Sequence, residues 1–214
     1  MVDTTDSSYR KPQLTEKTEK ERNIILAAAK IFKKYGYQKT TLREIGKAVG
    51  MNKASLYYYF KNKEDLFLEV LLHQFSQYLQ EMEDMPQDLQ ITKKIHWYLD
   101  KHVTFFLSNK NYQKSISMDL MMLSDETKKK IVETREKQFQ ILQKVIDDAM
   151  EQGEMKKIDT STLVITLKFL FSGVLKAISS YPKIYNTNID NKIIINKAKA
   201  SISLIFDGLL ENDL

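Results

Sequence analysis

The sequence predicts an all-α fold of about nine helices, in which a three-helix N-terminal module precedes a larger helical bundle. Three observations support this fold class. The 214 residues include only 6 Gly and 3 Pro, fewer turn-forming residues than sheet-rich proteins usually need. Apolar residues recur at helical spacing along most of the chain. Hydrophobic residues make up 43% of the composition, which is enough to bury a core.

The N-terminal module begins after a polar segment. Residues 1–17 lack periodicity, and we expect them to form a disordered arm. Apolar positions at helical spacing then predict a first helix, which Gly36 ends. Thr41 and Glu44 have the T-x-x-E spacing of a capping box, so a second helix is expected to begin at Thr41 and to end at Gly50.

Two further N-caps follow. Asn52 favours a short third helix over residues 53–59, and Asn62 favours a fourth, longer helix. We place a domain boundary within this fourth helix, so that residues 18–66 form the first domain and residues 67–214 the second.

The second domain continues the helical pattern. Each predicted segment carries apolar residues at helical spacing and is bounded by a capping residue, a glycine or a proline. Tyr181-Pro182 is expected to end the penultimate helix. The predicted segments are residues 91–109, 116–123, 124–153, 160–180 and 190–210.

The composition excludes several kinds of site. Cys is absent, which excludes disulfides, thiolate metal sites and a cysteine nucleophile. His96 and His102 are six residues apart, so they do not share a helix face and form no metal pair. We therefore expect no metal and no cofactor. The polar N-terminus and the interrupted apolar stretches predict a cytoplasmic protein without a signal peptide or membrane span.

The positive charge is concentrated in the first third of the chain. Residues 1–66 hold 14 Lys+Arg and 8 Asp+Glu, whereas residues 67–214 hold 19 and 20. A basic module joined to a near-neutral one favours a domain that binds a polyanion, although an ordinary solvated surface has the same composition. Lys63, in the first turn of the fourth helix, is expected to contact a phosphate there.

A tight turn at residues 49–51 joins the second and third helices, as in a helix-turn-helix. In this motif the second helix of the pair enters the major groove of DNA. Lys53 can then donate to guanine, and the Ala54 methyl can contact thymine, while Tyr57 and Tyr58 suit phosphate oxygens. The candidate DNA-contacting residues are Thr41, Arg43, Lys53, Ala54, Ser55, Tyr57, Tyr58 and Lys63.

Two segments resemble a known family. Residues 40–66, TTLREIGKAVGMNKASLYYYFKNKEDL, are similar to the DNA-binding signature of the TetR family of bacterial transcriptional regulators. Residues 25–37, ILAAAKIFKKYGY, resemble that family's first helix. Gly46 and Val49 stand where the family usually has Ala. A helical glycine costs about 1 kcal/mol relative to alanine, so we expect Gly46 to loosen the second helix.

The resemblance implies a function. It implies a ligand-responsive repressor that binds a pseudo-palindromic operator as a homodimer built on its last two helices. It also implies release by a small ligand, which we expect to be lipophilic. Beyond residue 70 the likeness is architectural, although residues 146–155 are similar to the end of the family's seventh helix.

The last two predicted helices are apolar on nearly every side. A helix buried on one side needs a single apolar stripe, so a second stripe indicates a second partner. Pairing with a second copy across a two-fold axis satisfies this requirement, and a central core helix in a monomer is the alternative. The predicted dimer residues are Leu167, Leu170, Phe171, Val174, Ile202, Ile205, Phe206 and Leu209.

A ligand pocket is expected among the helices of the second domain. Met and aromatic side chains suit an adaptable apolar site, although core packing is the favoured interpretation for any one of them taken alone. His102, on an apolar face, is expected to be a satisfied core polar group. The predicted pocket residues are Trp97, Phe105, Phe106, Met118, Met121, Met122, Phe139 and Phe169.

Two other functions remain open at the level of sequence. A small helical-bundle enzyme needs a catalytic constellation, and the chain has no cysteine, no Gly-rich phosphate loop and no motif of carboxylates with histidine on one helix. We therefore expect no enzyme. An interaction adaptor without DNA binding would not need Lys53, Tyr57, Tyr58 and Lys63.

Overall fold

The computed structural model describes residues 17–109, 123–185 and 190–210, with the side chains of residues 179–185 left out. These residues form eight helices, and their one β contact is an isolated bridge between Met155 and Leu210. The predicted all-α class is therefore confirmed. The predicted arm, apart from Lys17, and the predicted segment 116–123, apart from Leu123, lie outside the described residues. The helices are α1 Glu19–Tyr35, α2 Leu42–Ala48, α3 Lys53–Tyr57, α4 Lys63–Glu83, α5 Ile91–Ser108, α6 Asp125–Glu151, α7 Thr160–Tyr185 and α8 Asn191–Asp207.

The predicted caps of the N-terminal helices are present. Thr41 and Glu44 form a reciprocal capping box at α2. The Asn52 side chain accepts a hydrogen bond from the Ser55 backbone N–H at 2.8 Å, and Asn62 caps α4 in the same way. These side chains satisfy backbone donors that a helix start leaves unpaired, which is why short helices form here.

The described residues divide into two compact units between Val70 and Leu71, a division that falls inside α4. In the first unit the buried side chains come from all four helices. Phe32 of α1, Ile45 of α2 and Leu56 of α3 are fully buried, as is Leu66 in the first half of α4. The first unit therefore has its own hydrophobic core.

The second unit is a helical bundle. Helix α5 packs against α6, α7 and α8, and α7 also packs against α6 and α8. Tyr98 of α5 lies fully buried at the centre, where its ring stacks on Phe171 of α7 at 5.5 Å between centroids. Its hydroxyl donates to the backbone carbonyl of Gln138 on α6 at 2.8 Å. These contacts tie three helices together at one residue.

Helix α7 differs from its sequence prediction in two respects. It continues past Pro182 to Tyr185, although a proline inside a helix loses one backbone hydrogen bond and usually kinks or ends the helix. Residues 160–178 are also long and apolar enough to cross a membrane, which we did not predict. Leu163, Leu167 and Phe171 are instead buried in the core of the bundle, so packing accounts for much of this apolar composition.

Candidate DNA-binding surface

The α2–turn–α3 segment has one buried side and one exposed side. Leu42 and Ile45 of α2 and Leu56 of α3 are buried and fix the two helices to the first unit's core. On the outer side of α3, Lys53, Ala54, Tyr57 and Tyr58 are exposed and Ser55 is partly exposed. The structure thus brings the predicted base-reading residues together on one accessible helix face.

Tyr58 is the most exposed of the large hydrophobic and aromatic side chains among the described residues, at 86% of its full surface. Tyr57 is 47% exposed, and the Lys53 ammonium lies over its ring at 5.6 Å from the centroid. A tyrosine that contributes almost nothing to a core is free to place its hydroxyl against a partner. This exposed pair is the most distinctive feature of the surface.

The turn between the helices depends on Gly46. Its carbonyl accepts hydrogen bonds from the N–H groups of Met51 at 2.8 Å and Val49 at 3.1 Å. A Cβ at position 46 would lie 2.6 Å from the Met51 carbonyl oxygen, which is closer than such atoms approach. Gly46 therefore permits the close approach of the turn to α2, and our expectation that it loosens the helix overlooked this contact.

Thr41 and Arg43 begin α2 on the exposed side of the first unit. The Thr41 hydroxyl donates to the Glu44 carboxylate at 2.8 Å, and the Thr41 backbone N–H donates to it at 2.7 Å. These two hydrogen bonds lower the pKa of Glu44. Thr41 thus acts first as a helix cap, while the Arg43 side chain is exposed.

Lys63 begins α4, and its side chain makes contacts within the first unit. Its ammonium donates to the backbone carbonyls of Tyr37 at 3.0 Å and Thr40 at 3.2 Å, and it lies 4.3 Å from the centroid of the Tyr37 ring. The side chain is partly buried by these contacts. The ammonium thus faces the α1–α2 loop, and the phosphate contact expected of Lys63 stays a prediction.

Five of the eight predicted dimer residues lie in the core of a single chain. Leu167, Phe171, Ile202 and Phe206 are at most 1% exposed in a single chain, and Val174 is also buried. They pack in the bundle's own core, so they are not available to a second copy. Leu170, Ile205 and Leu209 are partly buried against the same core.

A different apolar set is exposed on the same two helices. On α7 these residues are Ile165 and Phe169, and on α8 they are Ile193 and Leu204. Phe169 is 74% exposed and Leu204 is 76% exposed. Each of the two helices has a second apolar stripe besides the one that packs in the core. That second stripe is the sequence feature from which these exposed residues could have been predicted.

The structure describes five of the eight predicted pocket residues, and they differ in burial. Phe105 is buried and stacks on Tyr78 at 4.5 Å between centroids, and Phe106 is also buried. Trp97 and Phe139 are only partly buried, beneath the ammonium groups of Lys101 and Lys168 respectively. Phe169 is exposed, so it lines no interior site within this chain. Met118, Met121 and Met122 lie outside the described residues.

The second unit contains several buried polar side chains, of which sequence reasoning identified only His102. The Tyr78 hydroxyl and His102 Nδ1 are 3.2 Å apart, which confirms the expectation that His102 is a satisfied core polar group. Burial, with a smaller contribution from the Arg135 charge, lowers the pKa of His102 to about 4. Gln138 is 1% exposed, and its side-chain oxygen has no hydrogen-bond partner among the described residues.

Family models and curated relatives match both units of this chain. The family model described as "Bacterial regulatory proteins, tetR family" matches residues 24–70, and the model described as "Tetracyclin repressor-like, C-terminal domain" matches residues 88–174. The "Fatty acid metabolism regulator protein" of Bacillus subtilis is 26% identical over 145 residues, which cover 67% of this chain and 75% of that protein. The transcriptional regulator QacR of Staphylococcus aureus is 50% identical over 48 residues, 22% of this chain and 26% of that protein.

Solved structures share the fold. FadR from Bacillus subtilis in complex with stearoyl-CoA has a TM-score of 0.69 at 21% identity, covering 85% of this chain and 96% of that chain. AibR in complex with isovaleryl coenzyme A and operator DNA has a TM-score of 0.59 at 20% identity, covering 87% of this chain and 97% of that chain.

The exposed recognition helix on an all-helical scaffold defines a class, the helix-turn-helix transcriptional regulators. Within that class, both family models match this chain, one in each unit. The chain belongs to the TetR family of bacterial regulatory proteins and is a transcriptional regulator.

Proposed function

We propose that this protein is a cytoplasmic, non-enzymatic repressor that binds a pseudo-palindromic operator as a homodimer and is released by a fatty acyl-CoA. The observation that carries DNA binding is the exposed face of α3, where Lys53, Tyr57 and Tyr58 face outward and Leu56 anchors the helix. The ligand class is supported by the likeness to a fatty acid metabolism regulator over two thirds of the chain.

On DNA, the α3 residues divide between two roles. Lys53, Ala54 and Ser55 lie at the start of α3 and read base edges, because small or basic side chains allow a close approach. Tyr57 and Tyr58 lie at its end and contact phosphates, as Arg43 does from α2. The tyrosine hydroxyls release no counterions, so the salt slope counts only phosphates neutralised by basic side chains such as Arg43; about six of these in the dimer predict a log–log salt slope near −5.

The dimer forms through the exposed apolar residues of α7 and α8. Ile165 and Phe169 on α7 are four residues apart and share a face, which Gly173 continues one turn later. A Cβ at Gly173 would meet no atom within 4 Å, so the helix surface is open there. Leu204 and Ile193 supply the corresponding face of α8. Two copies of this face form a four-helix bundle around a two-fold axis.

The ligand binds within the second unit. A fatty acyl-CoA combines a long apolar chain with a polar thioester and headgroup. The core around Phe105 is apolar, while the Tyr78 ring stacks on Phe105 and its hydroxyl lies 3.2 Å from His102 Nδ1. Gln138 on α6 is also buried, and its side-chain oxygen has no partner among the described residues, which favours a donor from a ligand or water there.

Release requires that the ligand prefer one of two states of the dimer. Moving operator occupancy from 99:1 to 1:99 needs about 5.5 kcal/mol of differential affinity. Two sites then contribute about 2.7 kcal/mol each, within the usual range of coupling free energies. Helix α4 is continuous from Lys63 to Glu83 and is the candidate element for transmitting this difference.

The test is fluorescence anisotropy on duplex DNA from the promoter upstream of the protein's own gene. We expect salt-dependent binding that palmitoyl-CoA weakens, while coenzyme A alone and palmitate alone have little effect. Binding that does not respond to any acyl-CoA would reject the ligand class. A salt slope near zero on the preferred site would reject the electrostatic basis of DNA binding.

A further inference from the structure

Helix α5 begins without a cap of its own. Its N-cap residue, Gln90, makes no side-chain cap hydrogen bond, and its first turn holds no acidic residue. The first backbone N–H groups of a helix have no partner within the helix, and a carboxylate near them is stabilising. Glu154, in the loop between α6 and α7, supplies this carboxylate, because its Oε2 accepts a hydrogen bond from the Ile91 backbone N–H at 3.1 Å.

Helix α8 ends without a cation of its own. Its last turn holds no basic residue, although a cation near the last carbonyls of a helix is stabilising. Lys156 supplies this cation. Its ammonium donates to the Gly208 carbonyl at 3.2 Å, and its backbone N–H donates to the Leu209 carbonyl at 2.7 Å.

Residues 154–156, which we call the link segment, are also held at the end of α6. Gly153 has the left-handed conformation, with φ of 74°, and the Glu154 backbone N–H donates to the Ala149 carbonyl at 2.9 Å. Met155 is 1% exposed and pairs with Leu210 in the isolated β-bridge. Three consecutive residues therefore contact the end of α6, the start of α5 and the end of α8.

We propose that the link segment is a conformational coupling device: Glu154 and Lys156 join the start of α5 to the end of α8, so that loosening either helix end loosens the other. Only one residue, buried in the core, separates the two charged residues, so a displacement of the segment at one helix end also displaces the contact at the other. Residues 84–90 separate the end of α4 from this turn of α5, so the device also links α8 to the segment that leads from α4. The coupling goes beyond the proposed function, because it needs neither DNA nor a second copy.

Backbone amides at the two helix ends report the coupling through hydrogen exchange, measured by NMR on the full chain. The Ile91 N–H, which donates to Glu154, reports the start of α5. The Leu210 N–H, which donates to the Phe206 carbonyl at 2.8 Å, reports the end of α8. Exchange at Leu99, a fully buried residue in the middle of α5, corrects for any change in global stability.

The variants separate the two charged residues. Glu154→Met removes the acceptor, whereas Glu154→Gln retains an acceptor oxygen. Lys156→Met removes the ammonium donor, whereas Lys156→Arg retains a charged donor. Glu151→Met and Lys157→Met remove the same charges from exposed neighbouring positions and are the matched controls.

We expect Glu154→Met to accelerate exchange at Ile91 about tenfold, the loss typical of a hydrogen bond to a charged group, and Glu154→Gln to restore most of it. Coupling predicts two further changes, each of about twofold or more, as is usual for residues in one network. Glu154→Met should accelerate exchange at Leu210, and Lys156→Met should accelerate exchange at Ile91. Lys156→Arg and both controls should leave the two amides close to the wild-type rates.

Changes confined to the helix end that each variant contacts would overturn the proposal, because two independent caps produce that result. Equal acceleration at Ile91 in Lys156→Met and Lys157→Met would also overturn it, because the loss of positive charge alone would then be the cause. If Glu154→Met accelerates exchange at Leu99 by the same factor, Lys156→Met decides by the same criterion, because Lys156 is exposed and its loss leaves the core intact.

Discussion

At the scale of single residues, Tyr58 and Lys53 allow the two kinds of DNA contact to be separated. The Tyr58 ring is mostly exposed, so removing its hydroxyl changes little inside the protein. Lys53 starts α3, where its ammonium can reach a base edge. The two side chains share a helix face but differ in the information they can read.

We expect Lys53→Ala to relax base preference at one position in each half-site, with a cost of about 1–3 kcal/mol on the preferred sequence. Tyr58→Phe should weaken binding to all sequences alike, because a phosphate contact is independent of sequence. Selection of bound sequences from a randomised operator library measures both. A reordered preference in Tyr58→Phe would contradict this division.

His102 makes stability depend on pH. Its pKa is lowered from 6.5 to about 4 by burial, so the folded protein keeps it neutral. Between these values only the unfolded chain takes up the proton, and the free energy of unfolding therefore falls as the pH falls. From pH 7 to pH 5 we expect a loss of about 2 kcal/mol from this group.

His102→Gln keeps a hydrogen-bonding partner for Tyr78 and cannot titrate. Urea unfolding of both proteins at pH 7 and pH 5 should show a smaller loss in the variant. An equal loss in both proteins would mean that other groups cause the acid sensitivity.

At the scale of elements, the short helices were predictable and their turn was not. Thr41, Glu44 and Asn52 cap helices through partners three residues away. Both partners of each cap therefore lie within a short stretch of sequence, which makes the cap predictable. The role of Gly46 depends on the distance to the Met51 carbonyl, which only the folded turn defines.

Gly46→Ala tests this contact. Helix propensity alone predicts a gain of about 1 kcal/mol, whereas displacing the turn backbone costs about 1–3 kcal/mol. Because a backbone carbonyl moves less easily than a side chain, we expect a lower melting temperature and weaker operator binding. A variant with a higher melting temperature and unchanged affinity would show that the turn adjusts without cost.

At the scale of the whole molecule, burial explains why the predicted dimer residues were misplaced. Leu167 and Phe169 are two positions apart on α7, so their side chains project about 200° apart. One is fully buried and the other is 74% exposed. Both are large and apolar, and composition alone does not tell which stripe faces the chain's own core. The α3 face was easier to predict because its polar and apolar residues differ.

The proposed dimer gives a prediction with a matched control. Phe169→Glu should produce folded monomers, because the side chain is exposed in one chain and buried only between two copies. Phe206→Glu should unfold the protein, because it places a charge in the core of a single chain. Sedimentation and circular dichroism distinguish these results. A Phe169→Glu protein that remains a dimer at micromolar concentration would reject this interface.

The continuity of α4 limits how this chain can vary over evolution. The division between its two units lies in the middle of a 21-residue helix without glycine or proline. One inserted residue after Val70 would rotate all later positions of the helix by about 100°. Phe75, Tyr78 and Met82 would then turn away from the neighbours that bury them. Substitutions can accumulate along α4, whereas single-residue insertions and deletions within it should be selected against.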